Sequence, residues 1–341
     1  MSVNMLVFEH VTAGGMNEPI SPALADAGKA MWRALVDDFA AVGCKVWTTI
    51  GEREDITEDG CPRVRIKPSG DLQLVVQTLA QKCEGVIVVA PETGGILQHW
   101  VSSFTSMNLP LLNCSAKTIA GCGDKWALSR HLEKHGVATV PTKKGDAAVL
   151  LDAIEQALGV TGGAYVIKPI DGAGCEATYI IRSGEEARSL RTKLPGDRWI
   201  AQPFVPGEAV SVSFIASGNG VRPLLAGRQT LSGSHELRYE GGEMPLDRKQ
   251  SERAFWLATQ AVRTLKDLRG FIGVDLILAP NPKDDVVVEI NPRVTVSYCG
   301  LRELCATNLA RAMMDDNAKI QWRKGRVTFD HAGRVQKDGS P

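Results

Sequence analysis

Short apolar runs alternate with segments of helical period along the first hundred residues. The runs at 4–8, 45–50 and 85–90 have the length and apolar content of buried strands. Between them, residues 23–42 and 71–83 place apolar side chains at helical spacing. Strands that alternate with helices are typical of a parallel sheet covered by helices. The pattern therefore predicts a Rossmann-like α/β domain at the start of the chain.

Glycine-containing loops follow two of these predicted strands. Residues 9–15 read Glu-His-Val-Thr-Ala-Gly-Gly, and residues 91–96 read Pro-Glu-Thr-Gly-Gly-Ile. Open α/β sheets bind ligands outside the carboxyl ends of their strands, which is where both loops would lie. The loops are therefore either ligand-contacting segments or plain turns, and the sequence leaves both possibilities open.

Strands dominate the rest of the chain. A helix is predicted between Asp124, a good N-cap, and Gly136, a typical stop signal. Residues 160–183 then read as strand, glycine loop, strand. Mostly strands follow, with a long helix at about 248–268 and a last helix at about 301–314.

Composition and charge narrow the class of protein. Lys+Arg and Asp+Glu both number 39, and this zero net charge argues against nucleic acid or an anionic membrane as the main partner. No apolar run reaches the ~20 residues that span a bilayer, and the first residues lack the basic start of a signal peptide. The eight cysteines form no Cys-x-x-Cys pair, so free thiols in a reducing cytoplasm are expected.

A predicted hairpin carries the first candidate chemistry. Folding the chain about Pro282, the centre of its turn, brings Asp275 opposite Glu289. Asn291 lies two residues beyond Glu289 and therefore shares its face. Adjacent carboxylates repel unless a cation lies between them, and three oxygen ligands suit Mg²⁺ or Mn²⁺ better than zinc. The alternative is a polar edge that faces solvent.

A phosphate-binding segment is indicated upstream of the hairpin. Lys168 ends a predicted strand and precedes Gly172 and Gly174, which allow backbone N–H groups close to phosphate oxygens. Lys125 opposes the dipole at the start of its helix, and a bound anion would offset that cost; a solvated lysine is the alternative. The spacing Gly172-x-Gly174-x-x-Ala177 also meets the loose dinucleotide fingerprint. That fingerprint needs a following helix, however, and the next residues read as a strand.

In this order, the motifs resemble those of the ATP-grasp family of carboxylate–amine ligases. The resemblance covers about residues 1–315 and includes the hinge segment Ala-Gln-Pro-Phe-Val-Pro-Gly-Glu at 201–208. It implies an ATP-grasp fold in which ATP and Mg²⁺ (or Mn²⁺) lie between two antiparallel sheets. The implied segments are an N-terminal Rossmann-like domain (1–113), a small ATP-grasp subdomain (114–201), a C-terminal ATP-grasp subdomain with the metal site (202–320) and a loosely held tail (321–341).

The resemblance also implies a role for each candidate residue. The expected nucleotide-binding residues are Lys125, Lys168, Gly172, Gly174, Gln202, Pro203, Val205 and Glu208. The expected metal ligands are Asp275, Glu289 and Asn291, and the expected catalytic residues are Arg293 and Lys168. Glu208 lies one residue before the position where the family commonly has a ribose-binding carboxylate. The implied reaction joins a small-molecule carboxylate to an amine through an acyl phosphate.

Two segments, 6–15 and 290–303, resemble a narrower group, the tyramine–glutamate ligases of methanofuran biosynthesis. This resemblance implies glutamate and an aromatic amine as substrates. The implied substrate contacts are Glu9, His10, Gly14, Gly15 and Arg228. A lid within residues 234–245 and a homodimer are further expectations.

Departures from related enzymes limit the interpretation. Ser297 and Tyr298 stand where bicarbonate-using carboxylases of the family carry Glu and His, and Gly273 stands where ligases for D-alanine dimers carry Arg. A small-molecule kinase and a non-catalytic nucleotide-binding protein are the alternatives. The two lysines and the complete metal set argue against simple binding, which needs no bridging metal.

Overall fold

A parallel sheet begins the fold, as the sequence predicts, but it has four strands, and the one at 63–66 was not predicted. The computed structural model describes residues 2–16, 20–52, 63–67 and 70–338. The strands, in the spatial order β3-β2-β1-β4, are β1 (Asn4–Glu9), β2 (Lys45–Gly51), β3 (Arg63–Ile66) and β4 (Gly85–Val89). The helices that pack on them are α1 (Pro22–Ala41), α2 (Leu72–Ala80) and α3 (Ile96–Ser106).

Local signals and an apolar stripe explain the longest of these helices. Ser21 caps α1 by accepting a hydrogen bond from the backbone N–H of Leu24 at 3.3 Å. The buried stripe of α1 includes Trp32, Leu35 and Phe39, which pack in the core of this domain. Full burial of each such side chain contributes roughly 2 kcal/mol.

A second, antiparallel sheet of four strands follows, in the order β5-β8-β6-β7. Its strands are β5 (Lys143–Gly145), β6 (Tyr165–Pro169), β7 (Tyr179–Ile181) and β8 (Trp199–Pro203). Its helices are α6 (Ala147–Thr161) and α7 (Gly184–Leu190), and α4 (Ala116–Gly123) and α5 (Lys125–Lys134) precede them. A strand, β7, follows the glycine loop, so the helix that a dinucleotide fingerprint requires is not there.

The third sheet is the largest and has seven antiparallel strands, in the order β13-β12-β9-β10-β11-β14-β15. These are β9 (Glu208–Ser217), β10 (Gly220–Ser232), β11 (Arg238–Met244), β12 (Gly270–Leu278), β13 (Val286–Asn291), β14 (Val327–Asp330) and β15 (Val335–Lys337). Helices α8 (Arg248–Arg263), α9 (Ser297–Leu304) and α10 (Leu309–Met314) pack against it. Asp275 pairs with Glu289 between β12 and β13, which confirms the predicted hairpin register.

Three predicted elements need correction. The expectation of a loosely held tail is wrong for its described part, because Val327 and Phe329 are buried and β14 pairs with β11. The last helix is split into α9 and α10, since Asn308 caps a new helix by accepting from the N–H of Arg311. The long helix ends at Arg263 rather than near 268.

None of the helices that the structure describes is long and apolar enough to cross a membrane. The cysteines that it describes are free thiols, as predicted, and Cys61 lies outside the described residues. Helices α4 and α5 contact β13 of the largest sheet. The division into segments at 113, 201 and 320 stays a prediction.

Candidate active site

A cavity of about 330 Å³ lies between the second and third sheets. Eight of the predicted nucleotide- and metal-binding residues line it: Lys125, Lys168, Gly172, Gln202, Pro203, Val205, Asp275 and Glu289. The structure therefore brings distant residues together around one cavity: Lys125 and Glu289, for example, lie 164 positions apart in the sequence.

One end of the cavity holds the paired carboxylates. The two oxygens of Asp275 each accept a hydrogen bond, one from Gln229 Nε2 at 2.8 Å and one from Asn291 Nδ2 at 2.9 Å. Burial and the adjacent Glu289 carboxylate raise the pKa of Asp275 to about 8. Burial also acts to raise the pKa of Glu289, but Lys125 and Lys168 more than offset it and hold that pKa below its ordinary value.

Both predicted lysines face this carboxylate pair. Lys125 Nζ lies 3.5 Å from Glu289 Oε2 and donates to the backbone oxygen of Gly172 at 2.9 Å. The helix α5 that carries it is fixed at its start, because Asp124 caps it and the N–H of Lys125 donates to Ile170 O. Lys168, at the end of β6, is buried, and burial lowers its pKa while Glu289 acts to raise it. Two cations thus converge on one end of the cavity.

The donor set of this end fits a hard divalent cation. It offers two carboxylates. Asn291 does not itself line the cavity, but it binds Asp275 through its amide nitrogen and so adds an amide oxygen beside the pair. Within the described ranges no three His, Cys, Asp or Glu side chains gather in a metal-binding group. Such a set suits Mg²⁺, which usually binds one or two carboxylates and completes its shell with water and substrate phosphates.

The other end of the cavity is apolar and has a few polar groups. Val166, Ile180 and Phe204 line it together with Leu276 and Ile277. These side chains could enclose a flat ring between the two sheets.

Two polar groups of the hinge border this apolar end. The amide nitrogen of Gln202 donates to Thr142 Oγ1 at 2.8 Å. The backbone N–H of Phe204 donates to Ala164 O, whereas the N–H of Val205 has no acceptor among the residues that the structure describes. The hinge thus leaves hydrogen-bonding groups available to a ligand.

The glycine loop between β6 and β7 contributes backbone rather than side chains. Gly174, Cys175 and Ala177 all have positive φ angles, of 68°, 61° and 49°. Gly172 lines the cavity, and Gly174 does not. The loop therefore turns sharply beside Lys168, a conformation that only its glycine adopts without strain.

Glu208 and Arg228 lie on the face of the third sheet that is turned away from the cavity. Glu208 starts β9, and its neighbours Gly207 and Ala209 line the cavity, so its own side chain lies on the opposite face. There it accepts from Arg228 Nη2 at 3.3 Å and also contacts Gln250 of α8. Neither Glu208 nor Arg228 is brought to the cavity, because strand alternation directs both to the face covered by α8.

Arg293 is held by another part of the chain. Its Nε donates to Glu92 Oε1 at 2.9 Å and its Nη2 donates to Glu92 Oε2 at 2.9 Å. Glu92 belongs to the glycine loop after β4, and both side chains are buried. Arg293 and Asn291 do not line the cavity. In this structure Arg293 therefore joins the first domain to the strand that carries Glu289, rather than facing the cavity.

The first glycine loop is packed into the N-terminal domain. Glu9 is buried and accepts from the backbone N–H groups of Val11 and Thr12 at 3.1 and 2.6 Å. Burial raises the pKa of Glu9. Gly14, with a φ of 78°, forms the turn that follows. Neither Glu9 nor Gly14 lies at the cavity between the sheets.

His10 lies under this loop. Its Nδ1 accepts from Trp100 Nε1 at 3.1 Å, and no described residue bonds its buried Nε2. Gly15 covers the ring so closely that a Cβ there would lie 2.2 Å from it. The four candidates of this loop form a packed turn at the carboxyl edge of the parallel sheet, so their substrate role stays a prediction.

The short segment 235–237 borders the cavity and bridges the second and third sheets. The N–H of Ile180 donates to His235 O at 2.7 Å, and the N–H of Leu237 donates to Thr178 O at 2.8 Å. These bonds link the second sheet to the loop between β10 and β11. The segment expected as a lid is thus a bridge at 235–237, and its later residues belong to β11.

Sequence reasoning missed three residues with clear positions. Gln229 lines the cavity, Thr142 binds Gln202, and Glu92 binds Arg293. Alternation along β10 could have indicated Gln229, had its pairing with β9 been known. Each of the other two depends on contacts between distant segments, for which the sequence gives no local signal.

Family models match most of the chain. A model of the ATP-grasp domain matches residues 122–297, and a model of the pre ATP-grasp 3 domain matches residues 44–119. The chain is also 27% identical over 306 residues to a tyramine–L-glutamate ligase of Methanocaldococcus fervens. The aligned region covers 87% of this chain and 89% of that protein.

Solved structures share the fold. An ATP-grasp superfamily protein from Archaeoglobus fulgidus superposes with a TM-score of 0.74 at 20% identity, over 96% of this chain and 92% of the other. A carboxyaminoimidazole ribonucleotide synthase from Aspergillus clavatus, complexed with ATP, superposes with a TM-score of 0.70 at 17% identity. The superposition covers 96% of this chain and 81% of the other. Identities this low establish the fold alone.

Proposed function

We propose, because the chain belongs to the ATP-grasp family, that this ATP-dependent ligase joins the side-chain carboxylate of glutamate to an aromatic amine such as tyramine. The product would be an amide, and the step would serve the biosynthesis of a methanofuran-type cofactor. One observation carries the proposal of the reaction: the carboxylate pair Asp275–Glu289 faces Lys125 and Lys168 in one cavity between the two sheets.

The two ends of the cavity support the proposed binding of a nucleotide. The base of ATP would lie in the apolar end, against Gln202, Pro203 and the free N–H of Val205. The phosphates would then reach Lys125 and Lys168 at the charged end. Charges that are fixed in place before the reaction stabilise developing charge at little cost in reorganisation.

Asp275, Glu289 and Asn291 would hold Mg²⁺, and the bound ion would supply neutralisation of the phosphate charge. The residues of the chain do the positioning. Gln229 fixes one oxygen of Asp275 and Asn291 fixes the other, so the carboxylate cannot rotate freely. Lys168 would stabilise the negative charge of the transferring phosphoryl group.

The proposed chemistry has two steps. An oxygen of the substrate carboxylate attacks the γ-phosphorus of ATP, the bond between that phosphorus and the bridging oxygen breaks, and ADP leaves. The amine nitrogen then attacks the acyl carbon, phosphate leaves with the bonding electrons, and the nitrogen loses a proton. Bound substrates that fill the cavity would exclude water and so protect the acyl phosphate from hydrolysis.

ADP release tests the proposal. With Mg²⁺ and ATP, the chain is expected to release ADP when glutamate and tyramine are both present, and mass spectrometry should find their amide. Glu289→Gln should lower this turnover by about 10²-fold or more, whereas Glu252→Gln, at an exposed position on α8, should leave it unchanged. A stable phosphorylated product that forms without any amine would instead establish a kinase.

A further inference from the structure

Thr142 lies beside the hinge and takes no direct part in lining the cavity. Its hydroxyl donates to Val140 O at 2.8 Å. A threonine hydroxyl has one hydrogen, so this bond uses its only donor. Toward any further partner, Thr142 Oγ1 can act only as an acceptor.

Gln202 is that further partner. The end of its side-chain amide lies 2.8 Å from Thr142 Oγ1. Because the oxygen of Thr142 can only accept, the amide group that faces it must be the nitrogen. The amide oxygen of Gln202 then points the other way, and no residue within the described ranges donates to it. Gln202 is 5% exposed, so its amide has little freedom to turn.

We propose that Thr142 determines base selectivity by holding the Gln202 amide with its oxygen toward the nucleotide base. An oxygen accepts a hydrogen bond from the 6-amino group of adenine, whereas the 6-carbonyl oxygen of guanine or hypoxanthine would meet another acceptor. A glutamine could serve either base if its amide were free to flip. Thr142, a residue that need not touch the nucleotide, removes that freedom.

The inference rests on the proposed nucleotide site and deepens it. The unpaired N–H of Val205 supports the same selectivity, because it suits N1 of adenine, an acceptor, and opposes the N1–H of hypoxanthine. Since Val205 acts independently, loss of the Thr142 contact should weaken selectivity without abolishing it.

Binding of ATP and of inosine triphosphate (ITP) to the full chain, measured by calorimetry with Mg²⁺ and without carboxylate or amine, tests the proposal. The wild type should bind ATP more tightly than ITP by about 10²-fold, because the Gln202 oxygen and the Val205 N–H each favour adenine by about tenfold. Thr142→Val keeps the shape of the side chain but removes the acceptor, and should lower the ATP preference by about tenfold. Thr142→Ser, which keeps the hydroxyl, is the matched control and should retain it.

A double variant separates amide orientation from general damage. In Thr142→Val with Gln202→Glu, a carboxylate presents an acceptor whichever way it turns, so the ATP preference should return. Equal binding of ATP and ITP by the wild type, or an unchanged preference in a folded Thr142→Val variant, overturns the role of Thr142 while the nucleotide site stands. Failure of both nucleotides to bind overturns the site itself. Should Thr142→Val not fold, Gln202→Glu alone decides, because a preference below that of the wild type contradicts the proposal.

Discussion

Arg293 and Glu92 form a buried ion pair that joins two domains of the chain. Three hydrogen bonds of 2.9 to 3.0 Å connect the guanidinium to the carboxylate, and neither side chain is more than 9% exposed. The pair connects the loop after β4 of the parallel sheet with the residues that follow β13. It thereby fixes the position of Glu289 relative to the first domain.

Glu92→Gln should destabilise the protein, because it leaves the Arg293 charge buried without its partner. Removing one member of a buried pair typically costs about 3 kcal/mol, and urea denaturation would measure the change in the free energy of unfolding. The exposed pair Arg248–Glu252 provides the comparison, and Glu252→Gln should cost less than about 0.5 kcal/mol. Equal effects of the two changes would show that the buried pair has no special weight.

Gln229→Leu should weaken the binding of Mg²⁺ without unfolding the protein. The change removes the amide that fixes one oxygen of Asp275, and loss of such a supporting contact typically costs about tenfold or more in metal affinity. The Mg²⁺ concentration for half-maximal ADP release should therefore rise about tenfold. Thr230→Val, an exposed position next along β10, is the control and should leave it unchanged. An unaltered Mg²⁺ dependence in Gln229→Leu would count against this role.

The carboxylate pair could be predicted because its geometry is local in sequence. Only a short turn separates β12 from β13, so counting from Pro282 gave the register of Asp275 and Glu289. The lysines could be predicted from their place beside a helix start and a glycine loop. Their convergence with the carboxylates agrees with the order of motifs along the chain.

The rest depends on pairings between segments that are distant in sequence. Arg293 and Glu92 are 201 residues apart, and Gln229 and Asp275 are 46 apart. The face on which Glu208 lies depends on where β9 begins, and a shift of one residue would reverse it. The expectation that Glu208 and Arg228 contact ligand therefore had no local support.

Lys168→Met should remove most of the activity, because it deletes a buried cation that faces the carboxylate pair. We expect kcat/KM for ATP to fall by about 10²-fold, measured as ADP release. Lys193→Met, an exposed position in the same part of the chain, should behave like the wild type. A Lys168→Met variant that kept its activity would remove Lys168 from the phosphate site.

His10 should make the protein less stable in mild acid. Burial lowers the pKa of His10 to about 4 from its ordinary 6.5, so the unfolded chain binds this proton at a higher pH than the folded protein. The stability is therefore fully present above pH 6.5 and declines as the pH falls toward 4, by roughly 3 kcal/mol in all.

His10→Gln should remove this part of the pH dependence, because its amide oxygen can accept from Trp100 Nε1 and does not titrate. Urea denaturation at several pH values between 7 and 4 would measure the free energy of unfolding. Relative to the wild type, the variant should lose less stability on acidification, by roughly 3 kcal/mol. His331→Gln is the control, since His331 is only half-buried, and it should follow the wild-type curve. Parallel curves for His10→Gln and the wild type would mean that His10 takes up its proton without opening its packed site.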